Sequence, residues 1–161
     1  METKTYLSFE MHGEAFAVNV THVLSILEMI RITKVPNSKD YMKGVINLRG
    51  SVLPVVDLRV KFDLPVKEAS KETSIIVMSI DRDGDQVVVG AVVDSVREVV
   101  EVNDKNVVSN PSIGTRYKSE IITGLLEDGE KFIMLLDINR VFSSDAPVNL
   151  TAREEEVLIE E

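Results

Sequence analysis

Three features of the sequence predict a mainly β protein built as two small barrels of about five strands each. Apolar residues alternate with polar ones over short runs, turn residues separate those runs, and one unit of pattern occurs twice.

Leu7, Phe9 and Met11 alternate with Ser8 and Glu10, which is the period of a half-buried strand. His12-Gly13-Glu14 reads as a turn, and Phe16, Val18 and Val20 supply the returning strand. The spacing of Val20, Val23, Leu24 and Leu27 then predicts one or two helical turns, and residues 30–32 a short strand. The most distinctive stretch follows at residues 43–62, KGVINLRGSVLPVVDLRVKF. It reads as two apolar strands around a tight turn in which Gly50 takes a positive φ at little cost. Pro54 cannot donate to a ladder and marks an edge or a bulge, and Asp57 can cap a short helix over residues 58–62.

Residues 65–74 are a polar connector. Strands resume over 75–80 and 87–93 around the turn at 81–85. Val96, Val99 and Val100 have helix-like spacing, against which stands the β preference of valine. Residues 103–120 form a long polar loop with Pro111 and Gly114, and loops of that length are uncommon without a function. A last hairpin spans 124–136, and Asp137 leads into residues 138–142. Residues 144–161 are an acidic tail, in which the cap at Thr151, the acidic first turn and the apolar end suit a short helix, with disorder as the alternative.

The repeat emerges from fixed spacings. Gly44 precedes Asp57 by the same interval that separates Gly124 from Asp137, and Phe62 and Phe142 follow the two aspartates alike. Val20, Val23 and Ile26 correspond more faintly to Val93, Val96 and Val99. Chance likeness between valine-rich strands is one explanation; two barrels with a shared interface is the other. On the second, residues 5–143 form a single domain with approximate halves at 5–64 and 74–143, exchange of strands between them being open.

Composition narrows the function classes. A 161-residue chain that is 44% hydrophobic can bury a sizeable core. Eighteen basic against 27 acidic residues leave a net charge of −9, which argues against nucleic acid and anionic membranes as partners. There is no cysteine for a disulfide or a thiolate zinc site, the N-terminus lacks the apolar stretch of a signal peptide, and the apolar run at 87–93 is far below the roughly 18 residues of a membrane span. A cytoplasmic protein is the expectation.

The motif V-I-N-L-R-G-S-V-L-P-V-V-D-L-R-x-K-F resembles the core of the CheW family, the coupling proteins of bacterial chemotaxis. V-G-A-V-V-D-S-V-x-E-V at 89–99 and I-T-G-L-L-x-x-G-x-x-F-I-M-L-L-D-I at 122–138 agree with it. The resemblance covers nearly the whole chain and implies two five-stranded SH3-like barrels in a non-catalytic adaptor without a cofactor. It implies two partners, the cytoplasmic hairpin tip of a chemoreceptor and the regulatory domain of the CheA histidine kinase, and recruitment to receptor arrays at the inner face of the membrane.

By the same resemblance, the receptor-binding positions are Val23, Ile26, Asn47, Leu48, Arg49, Gly50 and Ile75. The kinase-binding positions are Lys43 and Gly44 on one barrel and Val108, Ser112 and Ile113 on the other. Two departures bear on receptor preference. Ser25 stands where the family often has a glutamate that pairs with the motif arginine, here Arg49, and Lys39 stands where it often has proline.

Each of these positions has a plainer role open to it. Arg49 can hold its own turn through backbone carbonyls, and Val23, Ile26 and Ile75 can be core. Asp57, Asp94 and Asp137 read as strand-end caps instead of a carboxylate site. Asp81-x-Asp83-x-Asp85 opens like a calcium loop but continues with Gln86 and Val92 where glycine and glutamate are required. His12 and His22 complete no triad or metal set. A ligand sensor or an enzyme using the groove between the barrels is the alternative function, although no nucleotide, P-loop or hydrolase motif is present.

Overall fold

The computed structural model describes residues 3–108 and 121–143. Alternation sets the strands, and four tight turns set their pairing. β1 (Lys4–Met11) and β2 (Glu14–Asn19) turn through His12 and Gly13, at φ 52° and 76°. β4 (Met42–Leu48) and β5 (Ser51–Asp57) turn through Arg49 and Gly50, at 53° and 86°. β6 (Ser74–Arg82) and β7 (Asp85–Val93) turn through Asp83 and Gly84, at 55° and 88°. Positive φ at both central residues matches the right-handed twist of the flanking strands. In the fourth hairpin, β10 (Ile122–Asp128) and β11 (Lys131–Leu136) turn at Gly129.

Two stretches with helical spacing are strands. After a single 3-10 turn at Val20–His22, capped by the Asn19 side chain, the chain runs as β3 (Val23–Glu28) against β6. β8 (Ser95–Val102) runs against β1. Each carries a register shift, at Val23/Ser25 on β3 and opposite Leu7/Phe9 on β8. A bulge breaks strict alternation and leaves valines three apart, which imitates a helix. Residues 30–32 form no strand; only Thr33 bridges to Val45. The loop at 103–120 contains the two-residue strand β9 (Val107–Val108), and its remainder from 109, like the tail at 144–161, lies outside the described residues.

Hydrogen bonding sorts the strands into two sheets, in the orders β8-β1-β2-β11-β10-β9 and β3-β6-β7-β5-β4. The hairpin β1–β2 therefore belongs with the C-terminal strands, and β6–β7 with the N-terminal ones. Each crossing hairpin is joined by a parallel pair, β11 with β2 and β5 with β7. The chain itself spans the two edges of each sheet. Thr33, downstream of β3, exchanges both backbone bonds with Val45 of β4, and β9, downstream of β8, pairs with β10. The result is two small SH3-like barrels. Pro54 lies on an interior strand, yet it opposes Val45, whose polar groups face Thr33, and pairing with β7 begins only at Val55. No ladder bond is lost there.

Short helices α1 (Leu58–Lys61) and α2 (Ile138–Val141) follow β5 and β11, each started by an aspartate, Asp57 and Asp137, whose side chain accepts from the backbone. The backbone of these aspartates is also held alike, Asp57 by Tyr41 at 2.7 Å and Asp137 by Ile121 at 2.8 Å. The main core lies between the sheets. Phe9 and Phe16 stack at 6.0 Å, and Phe16 meets Phe62, beyond α1, edge to face at 5.6 Å. Each such buried ring contributes about 1.5–3 kcal/mol. Separate smaller cores fill the barrels, one around Ile46, Val55 and Ile75, the other around Ala17, Leu126 and Ile133.

A buried ion network ties these parts together. Arg59 of α1 is 2% exposed. Its guanidinium reaches Asp57 through Nε and Nη2, both at 2.9 Å, and Asp94 through Nη1 at 2.8 Å. Asp94, at the β7–β8 junction, also accepts from the backbone of His12 at 2.8 Å. Burial pushes the Arg59 pKa down, but hydrogen bonds and charge from Asp57 and Asp94 outweigh it and raise the value. Removing one member of such a network leaves uncompensated buried charge. Arg59→Met should lower the unfolding free energy by about 3–5 kcal/mol, read as a lower urea midpoint; an unchanged midpoint would show the network to be dispensable.

Candidate functional site

The receptor-binding candidates gather around the barrel formed by β3 to β7, but not all at its surface. Ile26 on β3 is 46% exposed, beside the still more exposed Leu24. Asn47, Arg49 and Gly50 form the exposed tip of the β4–β5 hairpin, where the Asn47 side chain accepts from the Gly50 backbone at 2.9 Å. Leu48 is half buried, packed on the barrel's inner core. Val23 is half buried against the inter-sheet core. Ile75 is fully buried within the barrel, so as a contact residue it is corrected to core: its side chain has no face to offer a partner. It does locate the site, because Leu27, next to Ile26, and Leu48, next to Arg49, pack on the same cluster as Ile75. Ile26 and Arg49 thus emerge around one barrel.

Arg49 does not brace its own turn. No hydrogen bond or ion pair to its side chain occurs among the described residues, and Glu28 does not replace the partner that Ser25 removes. The turn is held instead by Asn47. Arg49 nevertheless keeps a left-handed φ of 53°, a conformation that costs a non-glycine residue about 1–2 kcal/mol.

The kinase-binding candidates lie on both barrels. Lys43 is half buried on β4, and Val108 is 41% exposed on β9, opposite Leu125. Ser112 and Ile113 lie outside the described residues. Gly44 is buried at a register shift with φ 149°, where an added Cβ would stand 2.1 Å from the Thr33 carbonyl oxygen. Gly124 occupies the same place in the other barrel, with a Cβ only 2.5 Å from a Val107 methyl. These glycines let the closing segment lie against the sheet; their role is backbone approach, not side-chain contact.

Sequence reasoning missed two kinds of residue. Val52, 74% exposed and opposite Asn47, extends the hairpin's apolar surface; its even position in a half-buried strand was the available signal. Arg59 and Lys61 are charged residues on a very short helix and gave no sign of burial, yet both are enclosed, Lys61 lying 4.0 Å over the Tyr41 ring. Of the three aspartates, Asp57 and Asp137 cap the short helices, while Asp94 caps none; it binds Arg59, as Asp57 does, and accepts from the His12 backbone. Among the described residues no group of three or more His, Cys, Asp or Glu is placed to hold a metal ion, and no helix is long and apolar enough to cross a membrane.

Gly44 offers a direct check on this geometry. Gly44→Ala combines backbone strain with overpacking and should cost about 3 kcal/mol, while Gly50→Ala, with open space around it, should cost only about 1–2 kcal/mol. Chemical denaturation of the two variants measures the difference, and equal costs would contradict the close approach at Thr33.

Comparison with known proteins agrees with the architecture. The family model described as a CheW-like domain matches residues 5–146. The chain is 33% identical over 140 residues to a chemotaxis protein CheW of Klebsiella aerogenes, covering 87% of this chain and 82% of that protein. It is 34% identical over 139 residues to the chemotaxis protein CheW of Bacillus subtilis, covering 86% of each. The crystal structure of the scaffolding protein TtCheW from Thermoanaerobacter tengcongensis superposes with a TM-score of 0.76 at 25% identity, covering 90% of this chain and 91% of that one. With two sheets in the same architecture and a family match over nearly its whole length, the chain belongs to the CheW family.

Proposed function

We propose that the chain is a non-catalytic chemotaxis adaptor that couples the cytoplasmic hairpin tip of a chemoreceptor to the regulatory domain of the CheA histidine kinase. Its relatives are chemotaxis and scaffolding proteins by name, which supports the adaptor role. The observation that carries the receptor contact is Arg49. Its cation stands at the exposed tip of the β4–β5 hairpin, with no hydrogen bond or ion pair to its side chain among the described residues, and so can meet a partner's carboxylate. Leu24, Ile26 and Val52, exposed apolar residues of the same barrel, supply contact area. An apolar patch with one charge suits a helical hairpin that presents apolar residues and a carboxylate or free carbonyl groups.

Kinase binding is proposed at Lys43, Val108, Ser112 and Ile113. An adaptor of this kind acts in the cytoplasm and is recruited to the membrane by its receptor. Its role is geometric: it fixes two partners at a set separation, for which two rigid barrels sharing one core are well suited.

The receptor contact predicts that Arg49→Ala lowers receptor-tip affinity by about 10- to 150-fold, the worth of a charge-assisted hydrogen bond. The melting temperature and CheA binding should stay near wild type. Calorimetry with both partners, beside a melting curve on the same variant, checks this. Joint loss of both affinities with an earlier melt would make Arg49 structural.

The kinase contact predicts that Ile113→Ser and Val108→Asp each weaken binding to the CheA regulatory domain while receptor binding persists. Unchanged calorimetric titrations of CheA would remove these positions from the interface.

A further inference from the structure

The β10–β11 hairpin repeats the β4–β5 hairpin with a different chemistry at its tip. Asn47 pairs with Val52 in one and Glu127 with Phe132 in the other, and Val52 and Phe132 are both exposed. Gly129 stands where Arg49 does, each at a left-handed φ. The second tip therefore lacks the cation, and it borders a concave site instead. A groove of about 630 Å³ lies between the β1–β2 turn, β8 and the β10–β11 hairpin, in the size range of binding clefts.

Leu125 and Phe132 are among its apolar lining. Four carboxylates line it, Glu10, Glu14, Glu98 and Asp128, against two cations, Arg97 and Lys131. Glu10 and Arg97 pair with each other at 2.6 Å. Among the described residues, the side chains of Glu14, Glu98 and Asp128 have no ion pair or hydrogen bond. Such a groove favours an occupant that brings a cation together with apolar surface.

The chain itself exposes a projecting element of that description. The β4–β5 tip carries Arg49, whose side chain has no partner among the described residues, and Val52 at 74% exposure. Arg49 does not line the groove of its own copy, so the cation that fills it comes from another molecule. We propose that a second copy of this chain seats its Arg49 hairpin tip in the groove, with the guanidinium facing Glu98 and Asp128 and Val52 against Phe132. Two chains of net charge −9 repel one another at a distance, but salt screens that repulsion beyond about 8 Å while the local contact keeps its attraction. The association is weak and depends on concentration. A seated Arg49 is withheld from every other partner, the receptor included, although the self-contact does not rest on the receptor contact.

Sedimentation velocity of the full-length chain at rising concentration should show reversible growth beyond the monomer. Arg49→Glu disables the tip, and E98K/D128K disables the groove. All three positions are exposed, so these changes leave the core untouched. Each variant alone should associate about 10-fold or more weakly than the wild type. Mixing the two should bring association back, because the intact tip of one meets the intact groove of the other. A wild-type chain that stays monomeric, a variant that associates as the wild type does, or a mixture no stronger than its components would each overturn the proposal. A chain that stays monomeric while a lysine-bearing apolar peptide shifts the amide signals of Glu98 and Asp128 would make the occupant another protein, which overturns it as well.

Discussion

The fold depends on one buried cation. Arg59 sits where three segments distant in sequence meet: the start of α1, the β7–β8 junction and, through Asp94, the turn of the β1–β2 hairpin. Two carboxylates and one guanidinium leave a buried excess of one negative charge. Left bare, that charge would be costly, but the backbone N–H groups of His12 and Arg59 donate to the carboxylates. The network thus adds little net energy compared with an apolar filling, yet it permits only one arrangement of the pieces. A hairpin that crosses from one half of the chain to the other needs such a fixed address more than it needs extra adhesion.

The corresponding place in the second half shows how a repeat can diverge without losing its frame. Asn139 stands where Arg59 does, and its side chain accepts directly from the backbone of Asp81 on the β6–β7 hairpin. A neutral amide makes in one step the link that Arg59 and Asp94 make in two. The cap aspartates, the phenylalanines after the helices and the glycines opposite the closing segments remain equivalent. The frame is held by backbone geometry and caps, while the side chains that join the two halves differ.

Much of this architecture was readable because it rests on local chemistry. Turn glycines, the caps at Asp57 and Asp137 and the alternation of Leu7, Phe9 and Met11 state their structure within a few residues. The strands at 23–28 and 95–102 were obscured because a bulge in one strand is specified by pairing with another, which spacing along one strand cannot show. At the candidate site, Ile26 and Arg49 could be placed by motif, whereas the burial of Ile75 could not be told from its type: an isoleucine on a central strand faces the core or the surface by register alone. Arg59 and Lys61 were opaque for the opposite reason. Charged residues are rarely enclosed, and partners distant in sequence, Asp94 for Arg59 and Tyr41 for Lys61, help to make enclosure tolerable.

The exchange of hairpins has a consequence for how the chain comes to be folded. A nascent chain ending near Phe62 possesses β1–β2 but neither β8 nor β11, the strands that flank that hairpin, and possesses β3 to β5 without the β6–β7 hairpin that joins them. Neither sheet can be completed until synthesis has passed β7, and the first cannot close before β11. Folding must therefore await contacts of long sequence separation, with valine-rich strand edges uncovered in the interval. Until the crossing hairpins are in place, those unpaired edges are the surfaces most open to pairing with other chains.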